Sequence, residues 1–391
     1  MSALYFKVIP TVLILITLFG ALLAAEVIIN KPADTIDIYV GLSIGYGDEE
    51  TALKQIDKVA NYVNLIILGS LNVTTDTKTL SRVCDHIYQK GLHFIVYVAF
   101  GEGAENAPPR GPDATFFVDA ATKYGDKFLG VYIFDEVGGK LMDGAHSINM
   151  TTEDTYSEAA ILYTHHLHYY LQNISGYYAP AQFPIYTSDY TLYWYNYLAG
   201  YDVVFTEYVG NQSRQIATGL CRGAAKSLNK EWGVIITWSH QPDYFVENPE
   251  QLYNDMVLAY QNGAKYIIVF NSLFNSRAQF TPPTEYGTLT SEHFERMEQF
   301  WNYVHDESPV GLYPADTAFV LPKDYGFGFR SPTDRIWGKW DADNLSQKMW
   351  VDAHTFLETY VSLDIIYETR IAATPIDLLY KRLIFWNGTI L

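Results

Sequence analysis

Short unbroken apolar runs recur through residues 34–308, separated by amphipathic stretches, which is the pattern of repeated strand–helix units. The runs are DIYVGLS (37–43), VNLIILGS (63–70), HFIVYVAF (93–100), FLGVYIFDE (128–136), FPIYTSD (183–189), DVVFTEY (202–208), WGVIITWS (232–239) and KYIIVFNS (265–272). None alternates cleanly between apolar and polar, so each predicts a strand covered on both faces. The intervals 48–60, 76–90, 113–125, 153–173, 213–229, 249–262 and 291–305 carry helical periodicity, with Gly91 and Gly263 placed as helix stops. Eight such units predict an α/β fold, a (β/α)8 TIM barrel rather than an open doubly wound sheet.

The texture changes at Pro309-Val310-Gly311-Leu312-Tyr313-Pro314. Beyond it, residues 315–391 hold TAFVLP (317–322), an aromatic and glycine-rich loop through Trp340, a helix near 345–360, LDIIY (363–367) and LIFW (383–386). This reads as a small flavodoxin-like α/β unit. At the other end, residues 1–25 place Lys7 before VIPTVLILITLFGALLAA, the basic start and apolar middle of a signal peptide. Leu22 or Leu23 occupies the position where cleavage prefers a small residue, so membrane attachment through residues 8–25 is the alternative. Both readings put the rest of the chain outside the cytoplasm, secreted or at the cell surface.

Composition narrows the partners. A formal charge of −18 opposes a phosphate backbone or an anionic lipid surface, so no nucleic acid is expected. Aromatic residues make up 16% of the chain, with 32 Tyr and 8 Trp, and flat amphipathic rings suit a carbohydrate substrate as well as a core. Six Asn-x-Ser/Thr sequons, at Asn72, Asn149, Asn173, Asn211, Asn344 and Asn387, fit a glycoprotein. Cys84 and Cys221 fall on separate predicted helices and read as buried thiols. No metal or cofactor is expected: His165, His166 and His168 are too close together on one helix to face a single ion. YGFGFR (325–330) lacks the context of a phosphate loop.

A barrel gathers the carboxyl ends of its strands at one mouth, so residues there are the candidates for chemistry. Those ends supply Tyr46, Ser70, Glu102, Asp135 with Glu136, Asp189, Glu207 with Tyr208, Trp238 with His240, and Asn271. Glycoside hydrolysis needs two carboxyl groups across the scissile bond. Glu136 and Glu207 are the expected catalytic pair, with Glu136 as general acid/base and Glu207 as nucleophile or base. Asp135 either raises the pKa of Glu136 by repulsion or, because adjacent strand residues face opposite ways, forms an ion pair behind the barrel. Asp189 positions the substrate, while Tyr46, Trp194, Tyr208, Trp238, His240 and Asn271 are its expected contacts. Trp194 and the neighbouring rings of SDYTLYWYNY (188–197) either stack on sugar or pack as a rim lid. Arg222 is expected to pair with a barrel carboxylate.

FLGVYIFDE resembles the chitinase-type signature, with Glu136 at its final catalytic glutamate, and the chain is similar to the barrel glycoside hydrolase superfamily. That resemblance implies cleavage of glycosidic bonds in polysaccharide or glycan. The chain departs from the chitinase pattern at Leu129, Tyr132 and Phe134, where that family has acids. It departs from the retaining clan with glutamates on strands four and seven, since strand seven runs into TWSHQPD. Residues 315–387 resemble the beginning of the amidotransferase-like domain that follows the barrel in β-galactosidase-type enzymes, and no nucleophilic elbow is evident there. A non-catalytic carbohydrate-binding or envelope scaffold protein, and a metal-dependent hydrolase, are the competing readings.

Overall fold

A computed structural model describes residues 38–99, 111–145, 148–177, 183–237, 248–272, 284–305, 313–360, 362–369 and 375–391. The expected signal or anchor segment lies outside them, as do Glu102, Trp238 and His240. Residues 38–391 form one compact unit. Among the described residues no helix is long and apolar enough to cross a membrane.

The chain runs β1 (Tyr39–Ile44), α1 (Glu49–Val59), β2 (Leu65–Leu68), α2 (Leu71–Thr74), α3 (Thr77–Gln89), β3 (His93–Val98), α4 (Ala114–Tyr124), β4 (Phe128–Ile133) and α5 (Val137–Met142). It continues through α6 (Tyr156–Tyr177), β5 (Ile185–Asp189), α7 (Tyr193–Ala199), β6 (Val203–Tyr208), α8 (Arg214–Leu228), β7 (Glu231–Ile236), α9 (Pro249–Gln261), β8 (Tyr266–Asn271) and α10 (Ser291–His305). Strands β1 to β8 pair in sequence order, all parallel, and β8 returns to β1 to close the (β/α)8 barrel. Four helices begin on side-chain caps: Asp48, Asp76, Asp113 and Asn248 each accept a backbone N–H of the first turn.

Alternation along each strand sorts the side chains into two layers. Leu65 and Ile67, Tyr186, Val203 and Phe205, Tyr266 and Ile268 fill the barrel interior. Ile66, Val204, Val234 and Ile267, one residue out of step, pack outward into the core shared with the helices. At the end opposite the mouth, Tyr39 stacks on Tyr266 at 5.0 Å and the Tyr266 hydroxyl donates to Glu231 at 2.9 Å, which closes the barrel floor.

Beyond the barrel, β9 (Thr317–Leu321), α11 (Asn344–Thr359), β10 (Leu363–Tyr367), α12 (Ile376–Leu379) and β11 (Arg382–Phe385) build a parallel three-stranded sheet of order β10-β9-β11. That order corresponds to the first three strands of a flavodoxin-type 2-1-3-4-5 sheet. The sheet sits against α8, where a Cβ on Gly219 would come within 2.6 Å of the Leu363 carbonyl and one on Gly223 within 2.9 Å of the Ile365 carbonyl. Between them Arg222, expected to meet a barrel carboxylate, instead donates from Nε to Asp364 of β10 at 2.6 Å. Asp364 is fully buried and also accepts from the Tyr380 hydroxyl at 2.8 Å, so this ion pair is a seam between barrel and sheet.

Candidate active site

Glu207 is the last inward-facing residue of β6, continuing the interior series Val203, Phe205. It is only 4% exposed. Ser188, the inward residue near the end of β5, donates its hydroxyl to Glu207 Oε1 at 2.6 Å and accepts from the Tyr132 hydroxyl at 2.6 Å. Burial raises the Glu207 carboxyl well above the ordinary glutamate range, and the negative charge of Glu136 is the next largest contribution. A carboxyl in that setting holds its proton toward neutral pH, the condition a proton donor must meet.

The second acidic element is built differently. After β4 the chain turns through Phe134, Asp135 and Glu136 into the short helix α5, with Phe134 (φ 52°) and Glu136 (φ 58°) both left-handed. Such non-glycine residues cost on the order of 1–3 kcal/mol each and persist only where neighbours hold them. The neighbours are visible: Thr187 donates its hydroxyl to the Phe134 carbonyl at 2.7 Å, and the Glu136 N–H donates to the Ser188 carbonyl at 2.8 Å. Lys140, one turn into α5, places Nζ 3.2 Å from Glu136 Oε2 and 3.6 Å from Asp135 Oδ1. Burial works against the Lys140 charge, but Asp135, Glu136 and Glu207 outweigh it and raise the ammonium pKa above its ordinary value. Asp135 also lies 3.5 Å from the Tyr97 hydroxyl, an inward residue of β3. Burial first, and Asp135 second, push the Tyr97 and Tyr132 phenols upward, so both remain hydrogen-bond donors at neutral pH.

Asp189, expected to touch substrate, is fully buried and faces outward from β5. Its Oδ2 accepts from Gly138 N at 2.7 Å and Asn196 Nδ2 at 3.0 Å; its Oδ1 accepts from Gly139 N at 2.8 Å and Tyr190 N at 2.9 Å. Burial raises its pKa to about 6 in spite of these bonds. The carboxylate caps the start of α5 where helix amides are unpaired. No Cβ would fit at Gly138, 2.8 Å from Asp189 Oδ2, which accounts for the first glycine of Asp-Glu-Val-Gly-Gly.

Three further expected substrate contacts are corrected by strand parity and by packing. Tyr208 and Asn271 lie on outward positions. The Tyr208 hydroxyl meets Thr218 Oγ1 of α8 at 2.5 Å, and Asn271 Nδ2 donates to Gln55 of α1 at 2.7 Å. Trp194 is 4% exposed and packs on Tyr367 of β10, while Tyr195 meets Trp337 at 4.6 Å between ring centroids. The aromatic run thus enters α7 at Tyr193, where Trp194 and Tyr195 are covered by the C-terminal segment, while the Tyr193 hydroxyl meets Thr206 of β6 and the Tyr197 hydroxyl donates to the Glu231 carbonyl. Tyr46 is 49% exposed after β1 and lies close enough to Tyr97 to influence its phenol, so it remains at the mouth.

The mouth therefore gathers Glu207, Glu136, Asp135, Lys140, Ser188, Tyr97 and Tyr132. Among the described residues no group of His, Cys, Asp and Glu is arranged to hold a metal ion. Lys140, Ser188, Tyr97 and Tyr132 are not among the residues expected from sequence. Inward parity on β3, β4 and β5 is the signal that marks the last three, whereas nothing local marks Lys140.

No family of known proteins matches the sequence, and no curated protein matches it. Solved structures do. The fold is similar to the β-galactosidase of the psychrophilic Marinomonas ef1, at 10% identity and TM-score 0.56, over 89% of this chain and 72% of that one. It is likewise similar to the polyextremophilic β-galactosidase of the Antarctic haloarchaeon Halorubrum lacusprofundi, at 10% identity and TM-score 0.53, over 89% of this chain and 69% of that one. At such identity the likeness is one of fold, a closed parallel (β/α)8 barrel.

Proposed function

We propose that this protein is an exported glycoside hydrolase whose barrel mouth cleaves glycosidic bonds with Glu207 and Glu136. The observation that carries the reading is the buried Glu207 carboxyl, held by Ser188 and raised by burial and by Glu136, beside a second carboxylate anchored by a lysine. Two carboxyl groups in unlike environments are what acid-assisted glycoside cleavage requires.

The environments favour roles opposite to those expected from sequence. Glu207, whose pKa is raised by burial and by Glu136, is the donor to the leaving oxygen. Glu136, ion-paired with Lys140, is the nucleophile or the base that activates water. Tyr97, Tyr132 and Asp135 supply hydrogen bonds within the mouth, and the half-exposed Tyr46 offers a ring at the rim. Residues 8–25 and the exposed asparagines of five sequons, Asn72, Asn149, Asn211, Asn344 and Asn387, support export. The sheet order β10-β9-β11 supports kinship of the C-terminal unit with the flavodoxin-type domain that follows β-galactosidase barrels.

The test is release of reducing ends from a panel of polysaccharides, and of phenol from aryl glycosides, by wild type, Glu207→Gln and Glu136→Gln. Removal of a general acid costs about 10²–10⁴-fold in rate, so E207Q is expected to lose at least that on substrates with poor leaving groups and less on activated aryl glycosides. Equal loss on both classes, or wild-type rates in E207Q, would refute the donor assignment.

A further inference from the structure

The helix that carries the Glu136 side of the site cannot position itself. With six residues, α5 is far shorter than a helix stable alone, and it contains Gly138 and Gly139, poor helix formers. It follows the left-handed Glu136 directly, so its placement depends on what grips it from outside. Asp189 and the Glu136 N–H hold its start. Its far end is held from the C-terminal segment, 187 residues away in sequence: Arg330 Nη1 donates to Asp143 Oδ1 at 2.5 Å, immediately after α5.

Arg330 is itself fixed before it reaches Asp143. Asp334, 6% exposed, accepts from Nε at 3.0 Å and from Nη2 at 2.7 Å, a two-point grip that leaves Nη1 aimed outward. The other Asp143 oxygen accepts from the Tyr190 hydroxyl at 2.6 Å, and the guanidinium carbon lies 5.7 Å from the Tyr190 ring centre. The Tyr190 ring covers Gly139 so closely that an added Cβ would fall 1.9 Å from it. Two more backbone contacts come from the same segment. Thr191 donates its hydroxyl to the Gly328 carbonyl at 3.0 Å, and a Cβ on Gly338 would meet the Leu141 carbonyl at 2.5 Å.

From this geometry we infer that Arg330, presented by the 325–340 segment of the C-terminal unit, is a positioning residue that sets Glu136 and Lys140 against Glu207 through Asp143 and Tyr190. The glycine-rich run Tyr325-Gly326-Phe327-Gly328-Phe329-Arg330 is then a buttress for the barrel mouth, and the C-terminal unit completes the site rather than hanging from it. The inference rests on the two-carboxylate reading of the mouth.

Its test needs no substrate, so its failure is separable from failure of the glycosidase reading. The full chain is compared as wild type, Arg330→Gln and Arg330→Lys, by amide hydrogen exchange of peptides spanning 134–143 and 203–208 and by ¹³C titration of the Glu207 carboxyl. In R330Q, exchange over 134–143 is expected to rise about tenfold or more with 203–208 unchanged, as for a locally loosened element. The Glu207 titration is expected to move toward the ordinary glutamate value as Glu136 withdraws, with partial recovery in R330K. Wild-type exchange in R330Q, or faster exchange with the Glu207 titration unmoved, overturns the positioning role. Should R330Q lose its cooperative melt, Asp143→Asn removes the same ion pair with little change of shape, and the same two outcomes decide.

Discussion

The ends of β4 and β6 each bring a glutamate to the mouth, and they do so by opposite means. At β6 the backbone stays a regular strand and parity alone turns Glu207 inward, where burial and one hydroxyl fix it. At β4 the strand breaks into two left-handed residues, and Glu136 is held by an ammonium and by a framework borrowed from β5 and from the C-terminal segment. Regular structure gives a buried carboxyl whose pKa is raised by burial; irregular structure gives a partly exposed, ion-paired one. The same side chain acquires two chemical characters from its surroundings alone.

The sharpest way to break this contrast is to remove what holds the irregular end. Asp189→Ala leaves the Gly138, Gly139 and Tyr190 amides and the Asn196 side chain without their buried acceptor. Each unsatisfied buried donor costs about 1–3 kcal/mol, so a loss of at least 3 kcal/mol is expected in denaturant unfolding. A loss below about 1 kcal/mol would show that the turn stands without the carboxylate.

A medium effect should appear at the regular end. Because the folded-state pKa of Glu207 is raised above the ordinary 4.5, its contribution to stability is fully present below that value and is lost as pH rises toward the folded pKa. Glu207→Gln carries no such proton. Relative to wild type it should gain up to about 1.4 kcal/mol per pH unit across that window, read as unfolding free energies that diverge as pH rises above 4.5. Parallel curves would mean that Glu207 titrates normally.

The smallest effect belongs to Lys140→Met. Its side chain is 39% exposed, so solvent screening limits the expected destabilisation to about 1 kcal/mol at pH 7 and low salt, and it should shrink in high salt. A salt-independent loss would point to packing instead.

Much of the barrel can be read from the chain, because a strand covered on both faces leaves an unbroken apolar run and helix ends leave glycines such as Gly91 and Gly263. Glu136 and Glu207 are legible for the same reason: they sit where such runs end. What is harder to read is direction. Tyr208 follows Glu207 by one residue and faces a helix, and Asn271 turns to Gln55, because a pleat reverses at every step. The interior series Val203, Phe205, Glu207 contains that information once the barrel is assumed. Trp194 misleads differently, since aromatic rings destined for a seam under β10 have the same composition as rings that stack on sugar. Arg330 and Asp143 leave no local trace at all. Their pairing is made by the tertiary fold.

The most direct measurement is the ¹³C titration of the Glu207 carboxyl in wild type and in Glu136→Gln. A Glu207 pKa well above the ordinary glutamate value in wild type, falling but still elevated in E136Q, is the predicted result, since burial is the larger cause and Glu136 the next. Titration in the ordinary carboxylate range in wild type, or no response to E136Q, would contradict the pairing of these two glutamates.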